Sequence, residues 1–258
     1  MRMLSFGTEL LLCVAVSCVG ARSPAQSAQS FSGDWDENNA TEIALQISRS
    51  WRSATPDHIQ GAPEKATQSD VYAFLPFDKS GVTRWLVLVA QSPPDYTCHA
   101  CAPVTGGVIF TRVRDGFEAD YDQPKIISLG AFGKPPQTHV QDLGHGRPAI
   151  AFEMNSMAQG YATTTLTLVT EVEGKLKKVL SLETAASNEA AALPENQTFK
   201  WRAALEFVPG PNPQYYDIRA TSTGTREIKD GPNAGKVRPQ SSTVIYRFSD
   251  GAYQEQPK

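Results

Sequence analysis

Alternation of apolar and polar residues dominates the chain from residue 70 onward, and it predicts a series of β-strands. The run Arg84–Ala90 is apolar after its first residue, which is typical of a central strand that is buried on both faces. Acidic–glycine pairs follow several of the predicted strands and indicate hairpin turns, because glycine adopts positive φ without a Cβ clash. These pairs are Asp115-Gly116, Glu173-Gly174 and Asp250-Gly251. The predicted fold is mainly β, with antiparallel sheets in a sandwich-like or partial-propeller arrangement.

One stretch near the start has helical periodicity instead. Ile43, Ile47 and Trp51 recur every fourth residue and would form one apolar stripe. Asn39 or Thr41 could act as the N-cap of this segment, since both side chains can accept a hydrogen bond from the first turn. We therefore expect one N-terminal α-helix that packs on a sheet.

The first residues have the three-part layout of a secretory signal peptide. A positive charge at Arg2 precedes an apolar segment over residues 10–19, and Val19 and Ala21 are small residues placed for cleavage after Ala21. The apolar segment is too short to cross a bilayer. We expect a periplasmic or secreted protein with no transmembrane segment in the mature chain. The alternative is a lipoprotein that carries its lipid on Cys18.

The rest of the chain divides simply. Residues 1–21 are the predicted signal peptide, and residues 22–37, with many serine, alanine and glutamine residues, form a flexible leader. Residues 38–258 form a single β-rich domain, with a sub-boundary near 185–198 as an alternative, where a polar, alanine-rich link interrupts the strands.

Charge excludes one class of partner. The net charge is −3, and basic residues cluster only at 175–178, within a predicted hairpin. Nucleic-acid binding needs a larger basic surface, so we expect no nucleic-acid partner.

The most reactive stretch is Tyr96-Thr97-Cys98-His99-Ala100-Cys101-Ala102-Pro103, which holds the two cysteines that remain after signal cleavage. A structural disulfide between Cys98 and Cys101 is one interpretation, and an oxidising compartment favours it. An exchange-active pair is the second, because a protonated His99 could stabilise a neighbouring thiolate. A metal site is the third, although Cys98, Cys101 and His99 supply fewer than the four ligands of structural zinc. A covalent haem is excluded because Ala102 stands where the haem motif needs histidine.

No catalytic constellation is complete in the sequence. His139 and His145 flank Asp142, but across a predicted turn and without regular spacing, so we interpret them as turn residues. No serine lies in a nucleophile-elbow motif. We therefore expect no catalytic residues, no metal and no cofactor.

Three stretches resemble the strand–turn–strand pieces of FG-GAP or VCBS-type modules. They are Gln141–Ile150, Pro209–Ile218 and Tyr246–Tyr253. The calcium loop of those families would need several Asp or Asn residues where this chain has Gly144-His145-Gly146-Arg147, so the resemblance implies no calcium site here. It implies an exported β module used for binding.

The sequence thus favours a non-enzymatic binding module of the cell envelope or extracellular space. Its partner would be an unknown protein or envelope component, bound through a loop that includes Tyr96, His99 and Pro103. A thiol–disulfide redox protein that uses Cys98 and Cys101 is the alternative. A purely structural envelope protein is the third hypothesis.

Overall fold

The computed structural model describes residues 29–51, 68–95 and 98–257. The predicted signal peptide and Tyr96 lie outside these residues. The described chain is mainly β, with antiparallel sheets and one α-helix, as the sequence predicts. None of its described helices is long and apolar enough to cross a membrane.

Sheet 1 contains the first strands of the chain in the order β1-β5-β4-β3-β2. These strands are β1 (Ser30–Ser32), β2 (Gln68–Pro76), β3 (Arg84–Ser92), β4 (Val104–Val113) and β5 (Gly116–Ser128). Ser30–Ser32 belong to the range assigned to the leader, and they pair with β5. β3 lies between β2 and β4, which confirms the central position predicted from its continuous apolar run.

Sheet 2 is a meander in which each strand pairs with its neighbours in sequence, and it curls into a half-barrel. Its first four strands are β6 (Gln137–Asp142), β7 (Pro148–Ala158), β8 (Tyr161–Val172) and β9 (Lys175–Ser187). The other four are β10 (Lys200–Val208), β11 (Asp217–Glu227), β12 (Val237–Ser249) and β13 (Ala252–Glu255). Between β9 and β10, the link contains two short 3-10 turns, at Glu189–Ala191 and Glu195–Gln197. β9 and β10 nevertheless pair within sheet 2.

Hairpins form at all three predicted places, but Gly116 is the first residue of β5 and has no positive φ, so the turn there does not depend on it. β4 and β5 pair up to Val113 and Gly116, and β8 and β9 pair up to Val172 and Lys175. At Glu173-Gly174 both residues have positive φ, 53° and 74°. Asp250-Gly251 has the same conformation, with φ of 51° and 81°. Two successive positive φ angles define the type I′ turn, whose twist matches that of the flanking strands.

The helix α1 (Glu37–Ser48) begins earlier than the predicted N-caps allow. Asp36 is the N-cap, and its Oδ1 accepts a hydrogen bond of 2.9 Å from the backbone N–H of Asn39. The prediction of Asn39 or Thr41 as the cap was therefore wrong, because an acidic acceptor stands one turn upstream of Asn39. The buried positions of α1 are Ala40, Ala44 and Ser48, whose small side chains let the helix lie close to sheet 1.

The buried apolar residues form three core clusters. α1 and Trp51 cover the outer face of sheet 1, where Val87 and Val89 of β3 point toward them. Leu86 and Leu88 of the same strand point to the opposite face and pack against sheet 2. A further core lies within the curl of sheet 2 and includes residues from β7, β8, β9, β11 and β13. Successive side chains of a strand face opposite ways, so β3 supplies two of these cores at once.

Candidate functional site

The disulfide loop comprises residues 98–103 and leads directly into β4. Cys98 and Cys101 form a disulfide, with the two Cα atoms 5.0 Å apart. The backbone N–H of Cys101 donates to the carbonyl of Cys98 at 2.9 Å and closes a tight turn. Cys98 is exposed, whereas Cys101 is buried. One of the two bridged cysteines, Cys98, is therefore accessible to solvent.

A neighbouring turn holds the disulfide loop in place. The backbone N–H of Phe132 donates to the carbonyl of Cys98 at 3.1 Å, and that of Gly133 donates to the carbonyl of Cys101 at 2.8 Å. Pro103, the last residue of the loop, is buried, and its carbonyl accepts a bond of 3.4 Å from the Ser128 hydroxyl. The loop is thus fixed by backbone hydrogen bonds as well as by the disulfide. Because Pro103 is buried, it is not part of the exposed surface of the loop.

His99 connects the loop to sheet 2. Its ring meets the ring of Phe132 edge-on, with centroids 5.1 Å apart. Its Nε2 lies 3.2 Å from the carbonyl oxygen of Met157, near the end of β7. A carbonyl oxygen can only accept, so Nε2 must carry the hydrogen in this contact. His99 therefore lies between Phe132 and Met157.

Two large apolar side chains are exposed at this place. Phe132 is 52% exposed and Met157 is 59% exposed. Met157 also lines a cavity of about 610 Å³, which we call the Met157 cavity. Strands β7 to β11 line it, with Asn155, Ala162, Thr164, Ala185, Trp201 and Arg202 among the contributors. The disulfide loop, through His99, thus adjoins a cavity large enough for a ligand or an inserted side chain.

A second cavity, of about 400 Å³, lies among strands β9 to β13. β9 and β10 pair through only three residue pairs, between 185–187 and 200–202, and then separate. At the other edge of the sheet, β13 lies against β9. The curl therefore encloses a space, which we call the Arg226 cavity.

Small and polar side chains leave this space unfilled. Ala203 pairs with Ser222, and Ser222 pairs with Ser242, so these residues cross β10, β11 and β12 in one row of the Arg226 cavity. Small residues at positions that face inward leave room that larger side chains occupy in a filled barrel.

Arg226 has an unusual environment in this cavity. Its guanidinium carbon lies 3.6 Å from the centroid of the Trp201 ring, a close cation–π contact. Its Nε is buried and has no hydrogen-bond partner. Trp201 lines both cavities and is itself only 6% exposed. The stacked pair therefore lies at the boundary between the two cavities.

Two carboxylates, from β9 and β13, also line the Arg226 cavity. Glu183 comes from β9 and Glu255 from β13, where Glu255 pairs with Tyr246 of β12. Burial raises the pKa of Tyr246, and the nearby charge of Glu255 raises it further. The Arg226 cavity thus contains one cation, two carboxylates and several neutral hydrogen-bonding groups.

The other residues considered from the sequence do not form a site. Asp142 accepts a bond of 2.9 Å from the backbone of Gly144, and the ring of His145 lies 5.8 Å from that of Tyr216. His139 lies exposed on β6. Across residues 29–51, 68–95 and 98–257, no group of three or more His, Cys, Asp and Glu side chains is arranged to hold a metal ion.

The sequence analysis identified the disulfide loop, but it did not identify Arg226 or Trp201 as site residues. The available indication was the run of small residues at alternate positions of β10 to β12, where a filled core would need larger apolar side chains.

The chain matches no protein-family model, and it has no significant match among curated proteins or solved structures. The resemblance to FG-GAP or VCBS-type modules stays an expectation from the sequence.

Proposed function

We propose that the protein is an exported, non-enzymatic binding module that engages a partner protein of the envelope or extracellular space. It does so through the surface formed by the disulfide loop, Phe132, Met157 and the Met157 cavity. The observation that carries the proposal is the direct connection of two exposed apolar side chains to this cavity through His99.

A protein partner fits this surface better than a small apolar molecule. A small molecule could fill the Met157 cavity, but it would leave Phe132 in water on the far side of His99. A partner that inserts one apolar side chain into the cavity can cover Phe132 and Met157 at the same time. Each Å² of apolar surface removed from water contributes about 25 cal/mol.

The disulfide supports this function by ordering the loop before binding. A loop that is already fixed loses less conformational freedom when a partner docks. The backbone bonds from Phe132 and Gly133 couple the loop to the apolar surface, so opening the disulfide should disturb both.

Site-specific photo-crosslinking tests the proposal. A benzophenone amino acid at position 132 or 157 should crosslink one protein from the medium or envelope of the producing cells. The matched control is position 82, because Val82 is also exposed, at 44%, but lies in the turn between β2 and β3. Replacement of both Cys98 and Cys101 by serine should reduce the crosslinked yield. Equal labelling from position 82, or no labelling from any position, would favour a purely structural envelope protein.

Export is tested by the intact mass of the protein recovered from outside the cytoplasm. A chain that starts at Arg22 and is two hydrogens short of the reduced mass supports the exported, disulfide-bonded form. Added lipid on Cys18 would instead place the protein at a membrane surface.

The alternative function is thiol–disulfide exchange, and the environment of the bridge favours it in one respect. An incoming thiolate can attack the sulfur of the exposed Cys98, form a mixed disulfide there and release Cys101 as a thiolate. The backbone N–H of Cys98 lies 3.2 Å from the Cys101 sulfur, where it could stabilise that charge. Equilibration with glutathione tests this function: a bridge that opens at the potentials of known oxidoreductases supports it, and a bridge that resists reduction rejects it.

A further inference from the structure

The Arg226 cavity is separate from the proposed partner-binding surface and shares only Trp201 with the Met157 cavity. Its three charged side chains come from three different strands: Arg226 from β11, Glu183 from β9 and Glu255 from β13. Within the described part of the chain, no ion pair joins Arg226 to either carboxylate.

Arg226 lacks the acceptor that a partly buried guanidinium needs. Its contact with the Trp201 ring satisfies the face of the group but none of its five N–H donors, which lie in the guanidinium plane. Burial of an unpaired charged donor is unfavourable, and a carboxylate that forms two parallel bonds is its best match. The cavity is therefore complementary to a carboxylate at the Trp201 end.

The opposite end of the cavity has the opposite charge. Gly224 of β11 pairs with Trp201 on one side and with Gln240 of β12 on the other, so Gln240 lies level with Trp201. Tyr246 lies six residues farther along β12, and the backbone distance from Gln240 to Tyr246 is about 20 Å at the usual rise per residue. Glu255 pairs with Tyr246 at that end. A simple anion would meet repulsion there, and a simple cation would meet repulsion at Arg226.

The middle of the cavity suits a polar backbone. Ser222 and Ser242 present hydroxyl groups there, and Gln240, at the Trp201 end, adds an amide that lies 3.5 Å from the Ser242 hydroxyl. Peptide N–H and C=O groups require such partners when they leave water. Arg226 and Tyr246 line the cavity toward its two ends, and its volume of about 400 Å³ leaves room for a short ligand.

We propose that the Arg226 cavity binds a short peptide with free termini, whose carboxylate pairs with Arg226 and whose ammonium group lies at Glu255. Charge complementarity at two separated ends selects this class, and the hydroxyl and amide groups between them hold its backbone.

Trialanine is a suitable probe, because its small side chains fit a cavity of about 400 Å³. Binding is measured by calorimetry on the full mature protein and by the change in Trp201 emission relative to Trp201→Phe. Saturable binding is expected. Its C-terminal amide should bind at least about tenfold more weakly, since it leaves the partly buried Arg226 without a charged acceptor. Its N-acetyl form should also bind more weakly but by a smaller factor, because Glu255 is exposed and water can solvate it.

Two variants assign the two ends. Arg226→Gln should weaken trialanine binding and abolish the difference between the free peptide and its amide, but it should keep the difference caused by acetylation. Glu255→Gln should show the reverse pattern. Arg219→Gln is the matched control, since Arg219 lies on the same strand but pairs with Glu206 at 3.1 Å on the other face of the sheet.

The proposal is wrong if trialanine does not bind, or if its amide binds equally well to the unmodified protein. Arg226→Lys provides a second test if Arg226→Gln does not fold, because it keeps the charge but cannot form two parallel bonds, so binding should be weakened but still sensitive to amidation. Photo-crosslinking from position 157 should be unchanged in a folded Arg226 variant, so failure at one site does not imply failure at the other.

Discussion

Gly106 of β4 allows the outer layer of the protein to lie directly on the backbone of sheet 1. A Cβ atom at this position would overlap the ring of Trp51 and lie 2.7 Å from the carbonyl oxygen of Pro124. The Trp51 ring is fixed there, because its Nε1 donates to Asp122 at 2.6 Å. The absence of a side chain at Gly106 is therefore a packing requirement, independent of backbone conformation.

Gly106→Ala should destabilise the protein by about 1–3 kcal/mol, the usual cost of forcing extra volume into a filled site. Urea denaturation measures the change. In a double variant with Trp51→Leu, the penalty of the alanine should be smaller but still present, since the overlapping ring is gone while the close approach to the Pro124 carbonyl oxygen remains. Strictly additive effects of the two substitutions would show that Trp51 is not the group that excludes the alanine.

At the scale of elements, α1 depends on a single side-chain cap. Asp36→Ala should lower the stability by about 1 kcal/mol, because the first turn loses the acceptor for the backbone N–H of Asn39. Asp36→Asn should keep most of the stability, since asparagine caps equally well. Glu42→Ala, at an exposed position within α1, is the control and should change little. Thermal unfolding of the three variants measures these differences, and equal effects of Asp36→Ala and Asp36→Asn would contradict the capping role.

Elements that depend on neighbouring residues were predictable, and those that depend on distant ones were not. The turns at Glu173-Gly174 and Asp250-Gly251 follow from the conformational freedom of glycine within two residues. The N-cap of α1 was placed wrongly because Asp36, Asn39 and Thr41 are all competent acceptors in the sequence. Only the path of the chain from β1 selects Asp36 among them.

The two parts of the candidate site differ in the same way. The spacing of Cys98 and Cys101 is local, so the disulfide was predictable. The Arg226 cavity depends on the approach of β13 to β9 and on the separation of β9 from β10, which are tertiary features. No local pattern around Arg226 or Trp201 indicates that the two side chains stack.

At the scale of the whole molecule, polar contacts join the two sheets at the edges of their shared core. Glu171 of β8 accepts hydrogen bonds from Lys79 at 2.6 Å and from Arg84 at 2.9 Å, and both of these residues belong to the sheet 1 side. Gln123 of β5 forms a second link, since its side chain both donates to and accepts from the backbone of Leu176 in β9. These contacts fix the position of sheet 1 on sheet 2 more precisely than the nondirectional apolar contacts between them.

The Glu171 contacts make the packing of the two sheets sensitive to acid. Burial alone would raise the pKa of Glu171, but the hydrogen bonds and charges of Lys79 and Arg84 outweigh burial and lower the pKa below its ordinary value of 4.5. A carboxyl group whose pKa is lower in the folded state stabilises that state at pH values above the unfolded pKa. This stabilisation is lost as the pH falls below 4.5 and through the folded pKa.

Glu171→Gln should therefore lower the free energy of unfolding by about 1.5–3 kcal/mol near neutral pH, because two cations lose a charged acceptor. The difference from the unsubstituted protein should shrink as the pH falls from 4.5 through the lowered pKa of Glu171, at which the native glutamate also becomes neutral. Urea denaturation over a pH series measures both effects. Glu173→Gln is the matched control, because its partner Lys177 lies on the same hairpin and the Glu173 side chain is 80% exposed. It should change the stability much less, and a pH-independent effect of Glu171→Gln would show that its contribution comes from packing and not from the charge that links the two sheets.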